Sequence, residues 1–583
     1  MNTTIQYRIL IEDRNYATWK FINPDTNNII DIELEENRLL KNVDPLQLRM
    51  FTRDIFLFDE NGKVNIIDPQ IKMLDYISGV LILENNKTFG RTKNKKRLLY
   101  KCIPDDRTLP IFLIPYEVKL GFSKAVKNKY VIFKFDSWTE KHPQGILIET
   151  LGNVDKLDAF YEYQLYCKNQ HVSMTELMNI ARYKYKEKLH SEYIQEIYEN
   201  PNFKIQDKRN EYVFTIDPNG CKDFDDGYSI TQLESGDWKV TIYIANVYVW
   251  IETLGLWNSL SKRVATIYLP DRRRPMLPTI LSENLCSLQA DEERFALSMD
   301  IYVSKTGKVD ESKTCFYNSI IKVKKNFVYE EPTMVNKSIV YLQLYEISKK
   351  MDDSIKNSHD VVAHWMILMN TITSEVMIKK KYGIFRSVSK INEDKGNGLP
   401  LLDEETNRVI SLWNNTIGQY ISYKKDISIN HDVMNKKSYI HITSPIRRMV
   451  DLLNQMLLFS NESFIESLSN DALLFLTKWM NQLDYVNISM RSIRKIQLDS
   501  ALMDRCFNDP EVMNKLYKGT IIDAVLNTDG SRNYMVYLHE LKMLSRISYS
   551  LIVMDNYNQY EFRIYLFENE EKTTKKIKVM PIL

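Results

Sequence analysis

The stretch that decides both fold and chemistry runs from Thr215 to Ser229 and reads Thr-Ile-Asp-Pro-Asn-Gly-Cys-Lys-Asp-Phe-Asp-Asp-Gly-Tyr-Ser. It places four aspartates within ten residues: Asp217, Asp223, Asp225 and Asp226. The apolar run 212–216 predicts a strand that ends at Asp217. Pro-Asn-Gly at 218–220 predicts a turn, because proline presets φ and glycine tolerates positive φ. The strand and the turn together are expected to hold the four carboxylates close to one another.

Crowded carboxylates repel each other unless protons or a cation neutralise them. An all-oxygen donor set favours a hard cation such as Mg²⁺, with Mn²⁺ as a substitute. An acidic surface loop and a single Ca²⁺ loop are the alternatives, although the stretch lacks the alternating ligands and bidentate glutamate of an EF-hand. The sharper interpretation is a metal pair that clamps the attacking and leaving oxygens of a phosphodiester.

Length and composition describe an ordinary globular chain. Its 583 residues predict about three to five domains, and 44% hydrophobic with 26% charged residues excludes a disordered protein. The net charge is only +2. Any affinity for nucleic acid is therefore expected to come from local basic patches rather than from a general positive field.

Six cysteines without a C-x-x-C pair favour reduced thiols over a zinc ribbon or a disulfide framework. The N-terminus lacks a basic segment followed by an apolar one, and no apolar run approaches the length of a membrane span. The sequence thus predicts an intracellular protein of the cytoplasm or nucleus without membrane association. Few glycines with abundant Asn, Lys and Ile are typical of an AT-rich genome, such as that of a large virus or a protist.

The first 158 residues predict two small β-barrels, at 1–74 and 75–158, because short alternating runs are separated by turn signals. Two such barrels in tandem are typical of oligonucleotide-binding (OB) folds. The basic segment 91–97 suits phosphate tracking, or is a solvated loop. Residues 159–204 predict a linker helix with a capping box at Ser173-Met174-Thr175-Glu176.

Residues 205–510 predict one α/β domain, because strands alternate with longer helical patterns. A second motif lies at 439–451, Tyr-Ile-His-Ile-Thr-Ser-Pro-Ile-Arg-Arg-Met-Val-Asp. It predicts a helix with Ser444 as N-cap and Pro445 at the first position. Arg447 in the first turn opposes the helix dipole, which favours a phosphate partner there.

Residues 511–583 predict another small β-barrel, whose hairpin 518–526 and 534–538 is divided by Asp529-Gly530. The basic run 572–578 faces nucleic acid or is a final strand with a solvated face. The predicted fold class is therefore multidomain, α/β plus β.

Four ordered motifs resemble the RNase II / RNB family of exoribonucleases. They are Asp217-x5-Asp223-x-Asp225-Asp226, Met276-Leu277-Pro278, Leu285-Cys286-Ser287-Leu288 with Arg294 and Ser298, and Thr443-Ser444-Pro445-Ile446-Arg447-Arg448. Upstream, Asp105–Pro110, Asp136-Ser137-Trp138 and Leu151–Val154 resemble the second cold-shock domain of the eukaryotic Dis3 (Rrp44) branch.

The resemblance implies two cold-shock-like OB barrels, a central RNB catalytic domain and a C-terminal S1-like OB barrel. It implies a monomeric, Mg²⁺-dependent enzyme that hydrolyses single-stranded RNA processively from the 3′ end to nucleoside 5′-monophosphates. It leaves association with other RNA-processing proteins open. No endonuclease-type PIN domain is expected before the first barrel.

The resemblance also implies roles for particular residues. The four aspartates are expected to bind the metals, and Arg447 to neutralise the scissile phosphate. Two tyrosines are expected to stack on the last bases, and three further residues to contact RNA. These RNA-binding candidates are Tyr268, Tyr329, Arg294, Ser444 and Arg448.

The chain departs from the family pattern at three places. Asn246 stands where the family has an aspartate, Ala363-His364 where it has two glutamates, and Gln455-Met456 where it has a His-Arg pair. These changes motivate an alternative, a weak or inactive RNA-binding protein that retains the fold. The four intact aspartates favour the enzyme, and an enzyme acting on DNA or free nucleotides stays open because the sequence does not reveal a 2′-hydroxyl contact.

Overall fold

The computed structural model describes residues 5–84, 87–92, 96–118, 126–388, 418–424, 429–431, 436–526, 532–568 and 575–582. Residue contacts divide the chain into two compact units. One comprises 1–171, 498–554 and 558–583, and the other comprises 172–497 and 555–557. Three sequence predictions fall wholly or partly outside the described residues: 93–95 of the first basic segment, the Asp529-Gly530 turn, and 572–574 of the last basic run.

The first segment of the first unit is a four-stranded antiparallel sheet of order β2-β1-β3-β4. Its strands are β1 (Tyr7–Ile11), β2 (Trp19–Ile22), β3 (Ile55–Phe58) and β4 (Val64–Asp68). The sequence predicts a barrel in this segment, but among the described residues the sheet does not close. The chain between β2 and β3 forms a 3₁₀ helix at Glu35–Asn42 instead of further strands.

The second segment closes into the predicted barrel, which has five strands in the order β5-β6-β7-β9-β8. Its strands are β5 (Ile77–Leu81), β6 (Leu98–Pro104), β7 (Phe112–Tyr116), β8 (Lys129–Ser137) and β9 (Gln144–Asn153). Phe51 stacks on Phe112 with ring centroids 5.9 Å apart, so the sheet and the barrel share one apolar core. Helix α1 (Leu157–Cys167) packs on the barrel through Tyr163, whose ring stacks on Tyr130 at 4.3 Å.

The predicted linker helix is three helices: α1, α2 (Thr175–Tyr185) and α3 (His190–Glu199). The capping box predicted at 173–176 is wrong, because Met174 takes the N-cap position and no side chain caps the helix. The apolar spacing of Leu177 and Ala181 places both in the core regardless of the cap.

The second unit is built on a six-stranded mixed sheet of order β10-β17-β11-β12-β13-β16, in which β17 also pairs with β16. β17 runs parallel to β10 and β11, and the other pairs are antiparallel. A separate hairpin joins two short strands after β13. The strands are β10 (Gln206–Asp207), β11 (Val213–Asp217), β12 (Asp226–Gln232), β13 (Trp238–Ala245), β14 (Ile267–Tyr268), β15 (Arg273–Arg274), β16 (Glu293–Val303) and β17 (Val309–Val328).

Helices pack around this sheet, and a two-stranded ribbon of β18 (Ile384–Ser387) and β19 (Gln419–Ser422) completes the described part of the unit. The helices are α4 (Val247–Thr253), α5 (Pro332–Lys337), α6 (Ile339–Met351), α7 (Ser358–Lys379), α8 (Met449–Asn461), α9 (Asn470–Met480) and α10 (Leu483–Asn508).

Helix α7 is long and apolar enough to cross a membrane by length and composition, with a mean hydropathy of 1.3, although the sequence pattern predicts no such run. Its interior carries Asn370, whose amide donates to the Tyr439 hydroxyl (3.0 Å) and accepts the Ile442 N–H (3.0 Å). Buried hydrogen bonds of this kind are typical of a core helix. The other described helices do not meet these criteria.

The last segment, in the first unit, is a five-stranded sheet of order β22-β21-β20-β23-β24. Its strands are β20 (Tyr517–Leu526), β21 (Arg532–Leu538), β22 (Met543–Ser548), β23 (Gln559–Glu568) and β24 (Lys575–Ile582). The predicted hairpin is β20 and β21. Leu502 and Cys506, near the end of α10, join the core of this sheet.

Candidate active site

The aspartate stretch joins two neighbouring strands of the mixed sheet. Asp217 ends β11 and Asp226 begins β12. The loop between them is pinned by Ser287, whose hydroxyl donates to the Lys222 carbonyl (2.8 Å) and accepts the Phe224 N–H (3.0 Å). Ser287 of the Leu285–Leu288 motif thus fixes the loop by hydrogen bonds to the loop backbone.

The four carboxylates are removed from water to different degrees. Asp217, Asp223 and Asp225 are 9%, 8% and 3% exposed, and Asp226 is half-buried. The Tyr228 hydroxyl donates to Asp226 Oδ2 (2.8 Å). Asp217 Oδ2 is buried and has no hydrogen-bond partner among the described residues. A buried acceptor of this kind is costly unless a ligand satisfies it.

Burial raises the pKa values of Asp217, Asp225 and Asp226, and repulsion by neighbouring aspartates adds to the rise at Asp217 and Asp225. Burial, with the charge of Asp226 as the next cause, raises the pKa of Asp217 to about 8. Burial raises the pKa of Asp226 to about 6, against the Tyr228 hydroxyl bond that lowers it. Burial also raises the pKa of Asp225, while Arg447 opposes the rise. The cluster is therefore expected to bind protons or a cation strongly near neutral pH.

The second motif reaches the cluster at Asp225. The Ile446 N–H donates to Asp225 Oδ1 (2.9 Å) and Arg447 Nε donates to Asp225 Oδ2 (3.1 Å). Arg447 Nη2 donates to the Ser444 hydroxyl (2.9 Å), while 42% of the arginine side chain stays exposed. The carboxylate of Asp225 thus orients Arg447 beside the cluster.

The predicted helix start in this motif is wrong. Helix α8 begins at Met449 with Arg448 at the N-cap position, and the residues before it form a turn in which the Arg448 N–H binds the Ser444 carbonyl (3.0 Å). The buried Asp451 carboxylate stabilises this turn, because its Oδ1 accepts both the Ser444 N–H (2.8 Å) and Arg448 Nη2 (2.8 Å). Arg447 therefore faces a carboxylate rather than a helix N-terminus.

Both predicted stacking tyrosines border the cluster. The Tyr268 hydroxyl donates to Asp223 Oδ2 (3.3 Å), and 43% of this residue is exposed. The Tyr329 N–H donates to the Asp217 carbonyl (3.0 Å), because β17 runs parallel to β11 and ends beside it. The Tyr329 ring stacks on His359 with centroids 3.6 Å apart.

The other three residues predicted to contact RNA bind groups of the protein itself. Arg294 is 1% exposed, and its nitrogens donate to the Ser287 carbonyl (2.7 Å), the Glu293 carbonyl (2.8 Å) and Gln289 Oε1 (3.2 Å). Its observed contacts therefore brace the 287–293 segment from inside the fold. Ser444 and Arg448 act in the turn around Asp451.

Sequence reasoning missed Arg273 and His359. Arg273 lies opposite Tyr268 in the β14–β15 hairpin, and its Nη1 donates to Asp223 Oδ1. The hairpin signal was present in the sequence, since Pro270-Asp271 lies between two short runs. His359 reaches Tyr329 from the start of α7, and no local pattern indicates that contact.

The three departures from the family pattern have structural roles in this chain. The buried Asn246 amide caps helix α4, accepting the Val249 N–H (3.3 Å), and donates to Asn318 Oδ1 (3.2 Å). Gln455 donates to the Ala245 carbonyl (3.1 Å). His364 packs edge-on against Trp365 and lies 4.0 Å from Asp352. The Asn246 amide is thus engaged in capping helix α4 and in an amide pair with Asn318.

The donor set fits a hard divalent cation. Among the described residues, no three acidic, histidine or cysteine side chains already surround a common point as a complete protein cage. Mg²⁺ does not need one, because it usually keeps several waters and binds one or two carboxylates together with substrate phosphates. The unpaired buried oxygen of Asp217 offers one carboxylate ligand of this kind.

Comparison with known proteins agrees with this architecture. Residues 205–339 match the RNB domain, and residues 99–163 match the Dis3-like cold-shock domain 2. These two segments thus match the domains that the motifs of the chain resemble.

Particular relatives can be named. The chain is 32% identical over 252 residues to the DIS3-like exonuclease 2 of Schizosaccharomyces pombe, a match that covers 41% of this chain. The chain spans about a quarter (26%) of the length of that curated relative. Its fold is similar to Mycoplasma genitalium RNase R in complex with ribose methylated single-stranded RNA, with TM-score 0.67, 14% identity, and coverage of 99% of this chain and 100% of that one. It is also similar to yeast Ssd1, a pseudonuclease, with TM-score 0.58, 14% identity, and coverage of 96% and 80%.

Replacing Asp217 by asparagine is expected to stabilise the protein in EDTA, and more so at pH 8 than at pH 5.5. The native state holds the Asp217 proton more tightly than the unfolded chain does, because the pKa of an aspartate in the unfolded chain is about 3.9. The free energy of unfolding therefore falls as pH rises through this window. We expect a pH-dependent gain of roughly 2 kcal/mol in urea unfolding. Asp291→Asn, at an exposed carboxylate, is the control. An equal gain in both variants would show that burial of the Asp217 carboxylate is not the cause.

Replacing Arg294 by methionine is expected to lower the free energy of unfolding by about 2 to 4 kcal/mol, because buried carbonyls lose their donors. The RNA affinity of the folded fraction is expected to stay at the wild-type value. Urea unfolding and fluorescence anisotropy measure the two quantities. Arg272→Met, at a side chain that is 68% exposed, is the control. A weaker RNA complex with unchanged stability would restore Arg294 as an RNA contact.

Proposed function

We propose that this protein is a metal-dependent 3′-to-5′ exoribonuclease that hydrolyses single-stranded RNA to nucleoside 5′-monophosphates. The observation that carries the proposal is the cluster of buried aspartates, with an unpaired Asp217 oxygen at one side and Arg447 held on Asp225 at the other. Such a cluster demands a cation and presents a guanidinium to an anion. The RNB match and the retention of all four aspartates support the same class of reaction.

The reaction adds water across the bond between phosphorus and the 3′ oxygen. The shortened RNA keeps a 3′-hydroxyl and the released nucleotide carries the 5′-phosphate. Asp217, Asp223, Asp225 and Asp226 would hold Mg²⁺, or Mn²⁺ in its place, and we propose two ions as the full complement. Ions bound there supply Lewis-acid polarisation of the phosphate and favour the hydroxide form of the attacking water.

Arg447 neutralises the charge that develops on the phosphate. Two of its nitrogens are engaged by Asp225 and Ser444, which fixes the guanidinium plane, and the exposed remainder is free to face a substrate oxygen. A donor that is oriented before the substrate arrives costs no reorganisation during the reaction.

Tyr268 and Tyr329 provide aromatic faces beside the cluster for the terminal bases. Stacking contributes roughly 1 to 3 kcal/mol per base and does not depend on sequence. A degradative enzyme needs that tolerance. The six free cysteines support the reducing, intracellular location that we propose for the enzyme. We further propose that the enzyme is a monomer.

A second candidate is an RNA-binding protein without nuclease activity. The likeness to Ssd1, a pseudonuclease, shows that the fold is compatible with such a role, since fold alone does not define function. The contacts of Asn246 weaken this alternative, because the amide is used in capping helix α4 and in the pair with Asn318. That substitution therefore does not by itself remove a ligand from the described cluster.

The deciding experiment incubates a 5′-labelled single-stranded RNA with wild-type protein and with Asp225→Asn, with and without Mg²⁺. We expect a ladder that collapses to a short 5′ product only with wild type and Mg²⁺, and binding without cleavage for the variant. A DNA oligomer of the same sequence tests the choice of sugar. RNA that the wild type binds but leaves intact in Mg²⁺ and Mn²⁺ would favour the binding protein. Equal degradation of DNA would overturn the RNA specificity.

Replacing Arg447 by glutamine is expected to reduce kcat by about a hundredfold to a thousandfold, the usual cost of losing one donor to the transition state. Single-turnover rates at saturating RNA measure this step. Arg209→Gln, at an arginine paired with Asp207 and Glu293 on the sheet edge, is the control for lost charge. A change confined to RNA affinity would assign Arg447 to ground-state binding instead.

A further inference from the structure

Arg273 makes a contact that neither the motifs nor the proposed reaction uses. Tyr268 and Arg273 are cross-strand partners in the β14–β15 hairpin, so their side chains lie on the same face. Both side chains donate hydrogen bonds to the same carboxylate, that of Asp223. The Tyr268 hydroxyl donates to Asp223 Oδ2 (3.3 Å) and Arg273 Nη1 donates to Asp223 Oδ1.

The guanidinium of Arg273 is shared between two carboxylates. Its Nη2 lies 2.7 Å from Glu283 Oε1. The exposed fractions of the side chains are 22% for Arg273, 7% for Asp223 and 25% for Glu283. Glu283 lies in a short π-helix, Leu281–Leu285, and its backbone carbonyl accepts a hydrogen bond from the Gln289 side-chain amide (2.6 Å). Glu283 therefore holds Arg273 from a fixed position outside the aspartate cluster.

The aspartate cluster is asymmetric as a result. Asp217 presents an oxygen without a described partner, and Asp226 accepts a bond from a neutral hydroxyl. Asp223, in contrast, has the positively charged guanidinium of Arg273 bound to its Oδ1. A divalent cation at that oxygen would lie within a few ångströms of the guanidinium, and like charges at such a distance repel strongly in a partly buried site. Arg273 and a metal ion are therefore rivals for Asp223.

We infer that Arg273 is an internal counter-ion that competes with the metal for Asp223, and that Glu283 sets the strength of this competition by drawing the guanidinium away. Arg273 is thus a positioning residue that limits metal affinity at one end of the cluster. The inference rests on the proposed metal site. It predicts opposite effects for substitutions at two residues that form one ion pair.

The test is a titration of the full chain with Mn²⁺ at pH 7.5, in which free Mn²⁺ is followed by electron paramagnetic resonance. Arg273→Gln is expected to lower the Kd of the more weakly bound of the two Mn²⁺ ions about tenfold, because the positive charge that competes for Asp223 is removed. Glu283→Gln is expected to raise that Kd by a similar factor, because Arg273 then pairs with Asp223 alone. Arg272→Gln removes the same charge at the neighbouring residue, which pairs with Asp271 at 3.7 Å, and is expected to bind as the wild type does.

The double variant Arg273→Gln/Glu283→Gln separates this competition from general electrostatics. If Glu283 acts through Arg273, Glu283→Gln has no further effect once Arg273 is gone. If Glu283 attracts cations only by its own charge, the loss of affinity persists in the double variant and the inference is wrong. Arg273→Lys keeps the charge on a shorter side chain and is expected to restore most of the wild-type Kd.

Two outcomes distinguish this inference from the proposed function. Wild type that binds no more Mn²⁺ than Asp225→Asn overturns the metal site, and the role of Arg273 with it. Wild type that binds Mn²⁺ in an Asp225-dependent way, with an unchanged or higher Kd in Arg273→Gln, overturns the role of Arg273 alone. Thermal melts of each variant confirm that the native fold is compared throughout.

Discussion

Repulsion among four carboxylates at the junction of β11 and β12 is the constraint on which the rest of this site depends. Two strands that lie side by side bring Asp217 and Asp226 together, and the short loop between them adds Asp223 and Asp225. Water is largely excluded, so the repulsion is not screened as it would be at the surface. The surrounding residues counter it by pinning the loop backbone and by supplying positive charge from two distant segments.

The two arginines meet this charge in different ways. Arg447 comes from a turn that is itself held by the buried Asp451, and 42% of its side chain stays exposed. Arg273 comes from the β14–β15 hairpin, 50 residues after Asp223, and is tied to Glu283. Each guanidinium thus binds one aspartate of the cluster, and Arg273 also binds a carboxylate outside it. Asp217 keeps an oxygen that neither arginine satisfies, a cost that natural proteins commonly accept at functional sites.

The departures from the family pattern illustrate why a motif must be judged in its packing. A comparison of sequences alone shows Asn246 as a lost carboxylate. In the fold its amide donates to Asn318 Oδ1 and accepts the Val249 N–H, and a carboxylate could not make the first of these bonds. Asn318 in turn donates to the carbonyls of Phe203 and Phe464. The substitution is therefore part of a hydrogen-bond network that ties the sheet to its helices.

Local patterns in the sequence were sufficient for features that depend on neighbouring residues. The strand before Asp217, the closed barrel at 75–158, the β20–β21 hairpin and the crowding of the aspartates all follow from alternation and turn chemistry, because these act over a few residues. The tertiary structure decided whatever depends on contacts between distant segments. It left the first sheet open among its described residues, moved the start of α8 to Met449 because Asp451 holds the turn before it, and buried Arg294. It also brought Arg447 to Asp225, Arg273 to Asp223 and His359 to Tyr329, since ion pairs and ring contacts across a fold have no period in the sequence.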